Sequence, residues 1–175
     1  MILAPLAQDH APALAAAAEK LGDLWYTFIP VPDQIGQEID RRLAVPDMQP
    51  FTIMTPDGMP VGMTTYMNTD SVNKRVEIGS TWVSPDVQRS ALNTEAKLLL
   101  LTHAFETLDC IAVEFRTHRL NQQSRRAIER LGAQLDGILR SHSVMPNGTI
   151  RDTAVYSIIA ADWPATKAHL QGKLS

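Results

Sequence analysis

The hydrophobic and polar positions of this sequence predict an alternation of short strands and amphipathic helices. Short apolar runs that are rich in β-branched residues and bounded by Gly, Pro, Asn or Asp are typical of strands. Seven such runs occur, at residues 2–6, 51–54, 61–67, 76–83, 111–117, 135–145 and 150–159. Helices are predicted where apolar residues recur with helical spacing. They cover residues 9–21, 32–45, 94–108 and 121–131, with a short fifth helix from residue 162.

Local signals place the ends and the buried face of the first two helices. Asp9 precedes an alanine-rich segment, and aspartate is a preferred N-cap residue. Pro32 is expected to start the second helix, because proline is tolerated in a first turn. Within that helix Ile35, Ile39 and Leu43 recur at a spacing of four, so these three residues are predicted to form one buried face.

Turn residues and connection lengths predict a mixed sheet. Pro, Asp and Gly at 56–58 join the strands at 51–54 and 61–67, and the next strand follows a short loop, so these three strands should be antiparallel. The helix at 94–108 then carries the chain to the strand at 111–117, and such a crossover requires parallel pairing. The predicted fold class is therefore α+β, an α/β sandwich with a mixed, mostly antiparallel seven-stranded sheet.

Length, composition and charge limit the class of protein. A chain of 175 residues is typical of a single domain, and one domain is expected over residues 1–175. Hydrophobic residues make up 45% and charged residues 20%, as in globular proteins. The formal net charge of −3 provides no basic surface for nucleic acid, so no nucleic-acid partner is expected. Without a signal-peptide pattern or a long apolar segment, the sequence predicts a cytoplasmic protein with no membrane partner.

Cysteine and histidine offer no metal chemistry. Cys110 is the single cysteine, which excludes an internal disulfide and a cysteine zinc cluster, and we expect it to be buried beside a strand. The histidines share no metal-ligand spacing, so no metal is expected.

The turn between the strand at 76–83 and the helix at 94–108 is the most informative segment. A strand that leads into a helix through a polar turn directs unpaired backbone N–H groups and the positive end of the helix dipole at one point. This geometry predicts a phosphate site. Arg89 can add a cation to it, and Asn93 can cap the helix.

Residues 77–132 resemble the acetyl-CoA-binding half of the GCN5-related N-acetyltransferases (GNAT), within them the ribosomal-protein N-terminal (RimJ/RimL-like) acetyltransferases. The resemblance implies the GNAT fold with helices on both faces of the sheet, acetyl-CoA as co-substrate and an amine as acceptor. In this superfamily the turn usually reads Arg or Gln, two residues, Gly, one residue, then Gly or Ala. Here Ala91 stands at the first glycine position, where a positive φ would be costly for it.

The resemblance also implies which residues contact the co-substrate. A backbone N–H of Trp82 or Val83 is expected to meet the thioester carbonyl. Asn121 would hold the pantetheine arm, cap the second helix, or both. The other expected cofactor-binding residues are Gln88, Arg89, Ser90, Ala91, Leu92, Asn93, Thr94, Ser124 and Arg126.

Three residues are candidates for catalysis. The resembling enzymes place a serine at the position of Ser124 to give a proton to the CoA sulfur, although a serine near a helix start is also a common first-turn hydrogen-bonding residue. They carry a candidate glutamate base on a later strand, but residues 140–143 contain no carboxylate. His142 on that strand, or Glu77 acting through water, is the expected substitute.

Aromatic residues between the first two helices suggest an acceptor pocket. Trp25, Tyr26 and Phe28 are expected to shape it, as the corresponding link does in the family. The acceptor is then a protein N-terminus or a small amine. A CoA-binding module without catalysis is the alternative from another functional class, and a homodimer is expected because relatives often pair.

Overall fold

The computed structural model describes residues 1–22, 24–27 and 31–175. Within these residues the strands are β1 (Ile2–Pro5), β2 (Gln49–Met54), β3 (Pro60–Asp70), β4 (Arg75–Val83), β5 (Ala112–His118), β6 (Gln134–Val144) and β7 (Ile150–Ile159). The helices are α1 (Ala11–Glu19), α2 (Ile35–Ala44), α3 (Leu92–Glu106), α4 (Gln122–Glu129) and α5 (Trp163–Gly172). Each predicted element is present with somewhat different ends, which confirms the α+β fold class.

The strands form one seven-stranded sheet in the order β1-β2-β3-β4-β5-β7-β6. Neighbouring strands are antiparallel except β4 and β5, which are parallel. The parallel pair is the one that α3 connects, as the crossover argument requires. The predicted mixed, mostly antiparallel sheet is therefore confirmed.

The pairing of β4 with β5 is short. It runs over three residue pairs, from Arg75 with Ala112 to Glu77 with Glu114, although both strands continue beyond this point. The pairing of β3 with β4 is irregular between Met63 and Thr65, which places a bulge in β4. Bulges increase local strand twist. A gap between β4 and β5 therefore opens in the middle of the sheet.

Helices cover both faces of the sheet. On one face the largest apolar cluster joins α3, α4 and α5 to the central strands, with Leu101, Val113 and Tyr156 fully buried. On the other face α1 and α2 cover β3 and β4 through Leu14, Ile39 and other apolar residues. Because α1 and α2 are short, this second layer lies over one side of the sheet.

The buried face of α2 differs from the predicted one. Ile35 and Ile39 are buried, but Leu43 is 51% exposed and Arg42 takes its place at 2% exposure. A step of seven residues is nearly two full turns of an α-helix, whereas a step of eight rotates further around the axis. Arg42 therefore lies on the same line as Ile35, and the prediction for Leu43 was wrong.

The start of α1 also differs from the prediction. Asp9 lies in a 3₁₀ turn, Gln8–His10, and α1 begins at Ala11 with His10 at the N-cap position. Pro12 stands in the first turn of α1, where its missing N–H needs no acceptor. Proline thus sets the start of this helix, and the expectation that Asp9 caps it was wrong.

Cys110 is buried and free, as predicted. In the part of the chain that the structure describes, no group of three or more His, Cys, Asp or Glu residues is arranged to hold a metal ion. Within the same residues, each helix is too short or too polar to cross a bilayer.

Lys97 is buried between α3 and the sheet. Its ammonium group donates to the hydroxyls of Thr64 on β3 (3.2 Å) and Thr81 on β4 (2.8 Å), and the two hydroxyls lie 2.8 Å apart. The described residues place no carboxylate in an ion pair with it. Burial lowers the pKa of Lys97 to about 7, so the protein partly releases this charge near neutral pH.

Replacing this lysine should stabilise the protein in acid more than in base. Lys97→Met is expected to raise the free energy of unfolding by roughly 1 to 4 kcal/mol near about pH 6.5, because no charge remains to be buried. Between the folded pKa of about 7 and the ordinary value of 10.5 the unfolded chain binds more protons, so wild-type stability rises with pH in this window.

Urea unfolding at about pH 6.5 and about pH 9.5 measures this difference. The advantage of Lys97→Met should shrink at the higher pH. Lys20→Met, at an exposed position, should show no such trend. Equal stabilisation by Lys97→Met at both pH values would contradict the buried charge.

Candidate active site

The turn between β4 and α3 is closed by its own side chains. A 3₁₀ turn, Pro85–Val87, follows β4. The Ser90 hydroxyl donates to the Val87 carbonyl (2.6 Å) and accepts the Leu92 N–H (3.3 Å). Asn93 lies inside α3, with Ala91 at the N-cap position, so the expectation that Asn93 caps this helix was wrong. Ser90, a short hydroxyl two residues before Leu92, satisfies the helix start instead.

The left-handed residue of this turn is Arg89, not Ala91. Arg89 has a φ of +62°, whereas Ala91 has a φ of −63°. Alanine therefore fits its position without strain, and the missing glycine has no cost there. The strain moves to Arg89, whose exposed side chain is free to meet a ligand.

The first turn of α3 presents open donors. The Leu92 N–H bonds to Ser90 and the Glu95 N–H bonds to the Ala91 carbonyl. Within the described residues, the N–H groups of Asn93 and Thr94 have no backbone acceptor, as is usual for a first helical turn. These donors, with the positive end of the α3 dipole, form an anion site at the end of β4.

Hydrogen-bond alternation separates Val83 from Trp82. The Ser84 N–H donates to the Val61 carbonyl at 2.7 Å, and the register continues with Val83 opposite Gly62. Successive residues of a strand direct their N–H groups to opposite edges. The Val83 N–H therefore points away from β3 and into the gap, while that of Trp82 pairs with β3. The Trp82 side chain is buried in the α1 and α2 cluster.

Arg42 holds the bulge of β4 in place. Its guanidinium donates to the Ser80 carbonyl in the bulge (3.1 Å), to the Thr65 hydroxyl (3.0 Å) and to the Glu38 carboxylate (2.7 Å). Ser80 has a φ of +48°, a left-handed conformation that must be held by its surroundings. Burial lowers the pKa of Arg42, and Glu38 opposes that shift. This buried cation thus couples α2 to the strand that borders the gap.

The start of α4 lies on the other side of the gap. The Asn121 side chain accepts the Ser124 N–H at 3.0 Å, so Asn121 caps α4. The Ser124 hydroxyl is half-buried and makes no hydrogen bond to the described residues. Gln123 reaches Gln88 of the α3 turn at 3.5 Å. The α3 and α4 starts therefore face each other across one groove.

The basic residues of α4 have different environments. Arg125 donates to the Tyr156 hydroxyl (2.8 Å) and to the Arg119 carbonyl (3.3 Å), so it joins α4 to the sheet. Arg126 is exposed. Arg125 therefore makes a structural contact, whereas Arg126 is a cation that faces solvent.

Glu77 is buried at the point where the β4–β5 pairing stops. It is 6% exposed, accepts the Asn68 side-chain N–H (2.7 Å) and lies 3.5 Å from the Arg116 guanidinium. Burial raises the pKa of this carboxyl, although Asn68 and Arg116 oppose the shift. A carboxyl with a raised pKa, located where the strand pairing ends, is a candidate general base.

His142 lies on the same face of the sheet as Glu77, and so do two of the aromatic residues that were predicted to shape the acceptor pocket. His142 is exposed on β6, 3.0 Å from the Thr153 hydroxyl. The Trp25 and Tyr26 rings pack edge to face, 5.5 Å apart, and both lie against His118, at 5.5 and 6.5 Å. Phe28, the third aromatic residue predicted to shape the pocket, lies outside the described residues.

Comparison with known proteins identifies the family. Residues 1–134 match the family model described as an acetyltransferase (GNAT) domain. The chain belongs to the GNAT acetyltransferase family. The resemblance read from residues 77–132 is thereby confirmed, and so is the fold that it implied.

Proteins similar to this acetyltransferase include a bacterial sequence relative and several proteins of known structure. The chain is 32% identical over 111 residues to YdaF of Bacillus subtilis (strain 168), a candidate ribosomal N-acetyltransferase; the match covers 63% of this chain and 60% of that protein. A solved GCN5-related N-acetyltransferase from Brucella melitensis is 31% identical, with a TM-score of 0.89 over 99% of this chain and 81% of that one. Mycobacterium smegmatis RimJ, solved in complex with CoA-disulfide, shares the fold at 22% identity, with a TM-score of 0.80 over 98% and 88% of the two chains.

Two residues with notable contacts in this acetyltransferase, Arg42 and His118, were not predicted from the sequence. Arg42 was missed because a charged residue on a helix is usually solvated. His118 was missed because a lone histidine carries no spacing signal. The seven-residue step from Ile35 could have found Arg42, but nothing in the sequence alone could have found the contacts of His118.

The contacts of Arg42 predict a large loss of stability on truncation. Arg42→Met should lower the free energy of unfolding by roughly 2 to 5 kcal/mol, because Thr65 and the Ser80 carbonyl lose a buried partner. Arg41→Met is the matched control, since Arg41 pairs with the same Glu38 but is 54% exposed and should cost less than about 1 kcal/mol. Denaturant unfolding of both variants measures the difference, and similar losses would contradict the role of Arg42.

Proposed function

We propose that this acetyltransferase transfers the acetyl group of acetyl-CoA to a primary amine at the N-terminus of a protein or peptide. One observation carries the proposal: the β4–β5 pairing ends early and leaves the Val83 N–H directed into the gap. We assign the Ser124 hydroxyl, at the start of α4, and the Glu77 carboxyl, at the last β4–β5 pair, to the same gap. Direct acyl transfer needs these three kinds of group, which polarise the carbonyl, protonate the leaving thiolate and accept the amine proton.

The turn and helix starts fit the phosphates and pantetheine of CoA. The open N–H groups of Asn93 and Thr94, the Arg89 cation and the polar Gln88 side chain form a site of the kind that binds a diphosphate. We assign Arg126 to the same anion and Asn121 to the pantetheine arm. Ser90, Ala91 and Leu92 shape the turn through their backbone. That RimJ, which shares the fold, was solved with CoA-disulfide supports CoA as the ligand.

The residues around the gap would then divide the steps of one direct transfer. The Val83 N–H donates to the carbonyl oxygen of the thioester and stabilises negative charge there. Glu77 accepts a proton from the amine nitrogen through water as that nitrogen bonds to the carbonyl carbon. Ser124 gives its proton to the sulfur as the carbon–sulfur bond breaks, and the proton that Glu77 took up returns through water to the serine oxygen. The products are an N-acetylated acceptor and free CoA.

A peptide acceptor is favoured by the aromatic residues of the α1–α2 link and by the nature of the relatives. Trp25 and Tyr26 offer flat apolar surface beside the gap. The candidate ribosomal activity of YdaF also points to a protein acceptor. A cytoplasmic location and a homodimer stay predictions.

The first experiment measures cofactor binding and acceptor class together. Acetyl-CoA should raise the melting temperature, since a ligand that binds only the folded state stabilises it. Mass spectrometry of a peptide panel incubated with acetyl-CoA should then show acetylation of N-terminal amines. Stabilisation by acetyl-CoA without acetylation of any peptide or small amine would overturn the proposed activity and favour a CoA-binding module.

Ser124 should affect turnover and not stability. Ser124→Ala is expected to lower kcat by roughly 10- to 1000-fold with little change in acetyl-CoA affinity, because the hydroxyl acts only as the thioester breaks. Its backbone N–H, which Asn121 caps, remains in the variant. Asn121→Ala provides the contrast: it should lose roughly 0.5 to 2 kcal/mol of stability and weaken acetyl-CoA binding, because Asn121 caps α4 and is assigned to the pantetheine arm. Full turnover in Ser124→Ala would remove the serine from the mechanism.

The pH dependence of the rate should separate Glu77 from His142. In the wild type, kcat/KM should rise with pH as the Glu77 carboxyl ionises, at a pH above the ordinary range because burial raises its pKa. Glu77→Gln should lose this rise and roughly 100- to 10,000-fold of the rate. His142→Gln should keep the wild-type profile, and the reverse result would identify His142 as the base.

A further inference from the structure

His118 is a buried histidine with one unused nitrogen. It ends β5, and the residue is 4% exposed. Its Nδ1 accepts the Leu120 N–H at 3.0 Å. Its Nε2 has no contact with solvent and no hydrogen-bond partner in the part of the chain that the structure describes.

The Leu120 contact fixes the tautomer of this ring. Because Nδ1 accepts a hydrogen bond, the hydrogen of the neutral imidazole is on Nε2. Burial lowers the pKa of His118, and the nearby Arg151 and Arg119 lower it further while Asp152 opposes them, so the ring is neutral at physiological pH. Nε2 is therefore a fixed hydrogen-bond donor that lacks an acceptor.

The position of His118 in the fold indicates which ligand could supply a hydrogen-bond acceptor for Nε2–H. Val113 and Phe115 point into the α3 cluster, so His118, at an odd number of residues from both, projects from the opposite face. On that face it contacts Trp25 and Tyr26, while Gln88 and Gln123 line the proposed CoA groove between α3 and α4. His118 thus lies on the acceptor side of the gap.

We propose that the Nε2–H of His118 donates to a carbonyl oxygen on the carbon that is bonded to the acceptor's α-carbon, and so selects an α-amino carbonyl compound over a simple alkylamine or polyamine. This inference rests on the proposed function and specifies its substrate class. An N–H donor requires an oxygen with lone pairs, which an ammonium group or a hydrocarbon chain cannot offer. A peptide places such an oxygen three bonds from its α-amine nitrogen and two bonds from its α-carbon. An amine without this oxygen leaves the buried donor unpaired, which weakens its binding.

Because Nε2 has no contact with solvent, the carbonyl oxygen of the amine substrate reaches it only when neighbouring side chains move. Trp25 is 48% exposed, and it lies on the α1–α2 connection and outside any helix or strand. The ring of Trp25 is therefore the neighbour best placed to shift as the acceptor enters.

Two substitutions separate the two nitrogens of His118. In His118→Asn, the side-chain oxygen occupies a position equivalent to Nδ1 and can still accept the Leu120 N–H, but the distal donor is gone. In His118→Gln, the amide nitrogen occupies a position equivalent to Nε2 and keeps the distal donor. The Asn variant is thus the test, and the Gln variant is its matched control.

The experiment compares kcat/KM for L-alaninamide and for isopropylamine, which replaces the carboxamide with a methyl group. His118→Asn should lower kcat/KM for alaninamide by roughly 10- to 100-fold and leave isopropylamine within about 3-fold, because only alaninamide offers the oxygen. His118→Gln should retain more of the alaninamide rate than His118→Asn. Acetyl-CoA affinity, measured on the same preparations, should match the wild type in both variants. The melting temperature should fall in His118→Gln, because this variant loses the acceptor of the Leu120 N–H.

Equal loss for both amines in His118→Asn would overturn the inference and assign the ring to the thioester or to the fold. An unchanged alaninamide rate would overturn it as well. In either case, transfer to isopropylamine by the wild type would leave the proposed acetylation of amines intact. If the wild type acetylates no amine while acetyl-CoA still stabilises it, the proposed function fails, and the inference fails with it.

Discussion

The early end of the β4–β5 pairing is the constraint on which the proposed site depends. After Glu77 and Glu114 the two strands share no further pairs among the described residues, so one edge of β4 keeps its backbone donors unpaired. An unpaired edge inside a sheet is costly unless something occupies it. The bulge at Ser80, held by Arg42, maintains the divergence of the strands. The helix α2, which carries Arg42 and lies outside the gap, therefore helps to keep the gap open.

Burial and neighbouring charges together set the pKa values of the polar groups along this gap. Glu77 has the Asn68 amide and Arg116 beside it, and both favour its charged form, yet burial is the larger effect and raises its pKa. His118 is buried beside positive charge, and its pKa is lowered. The raised pKa makes the Glu77 carboxylate a stronger base once it has ionised, and the lowered pKa keeps the His118 ring neutral at physiological pH. The two groups thus suit different tasks, since one accepts a proton and the other donates a hydrogen bond.

The sequence predicted the order of elements and the family, because these depend on local pattern. Turn residues and the crossover at α3 were sufficient for the mixed sheet. Failures came where two local signals competed. Leu43 fitted a spacing of four, but the helical repeat selected Arg42, whose cost of burial is met by partners on other elements. Asn93 is a good capping residue, but Ser90 was already bonded to the helix start. The contacts of His118 depend on the α1–α2 link, which is distant in sequence.

The turn before α3 is ordered by bonds that need no ligand. Ser90 ties its hydroxyl to residues on both sides, and Gln88 bonds to the Val83 carbonyl at 3.1 Å. A loop that is already in its binding conformation loses little conformational entropy when an anion arrives. Glycine-rich phosphate loops have more backbone freedom to lose. A chain that has Ala91 and Asn93 at the glycine positions can therefore compensate for weaker backbone approach through preorganisation. Association is then limited by encounter and not by loop rearrangement.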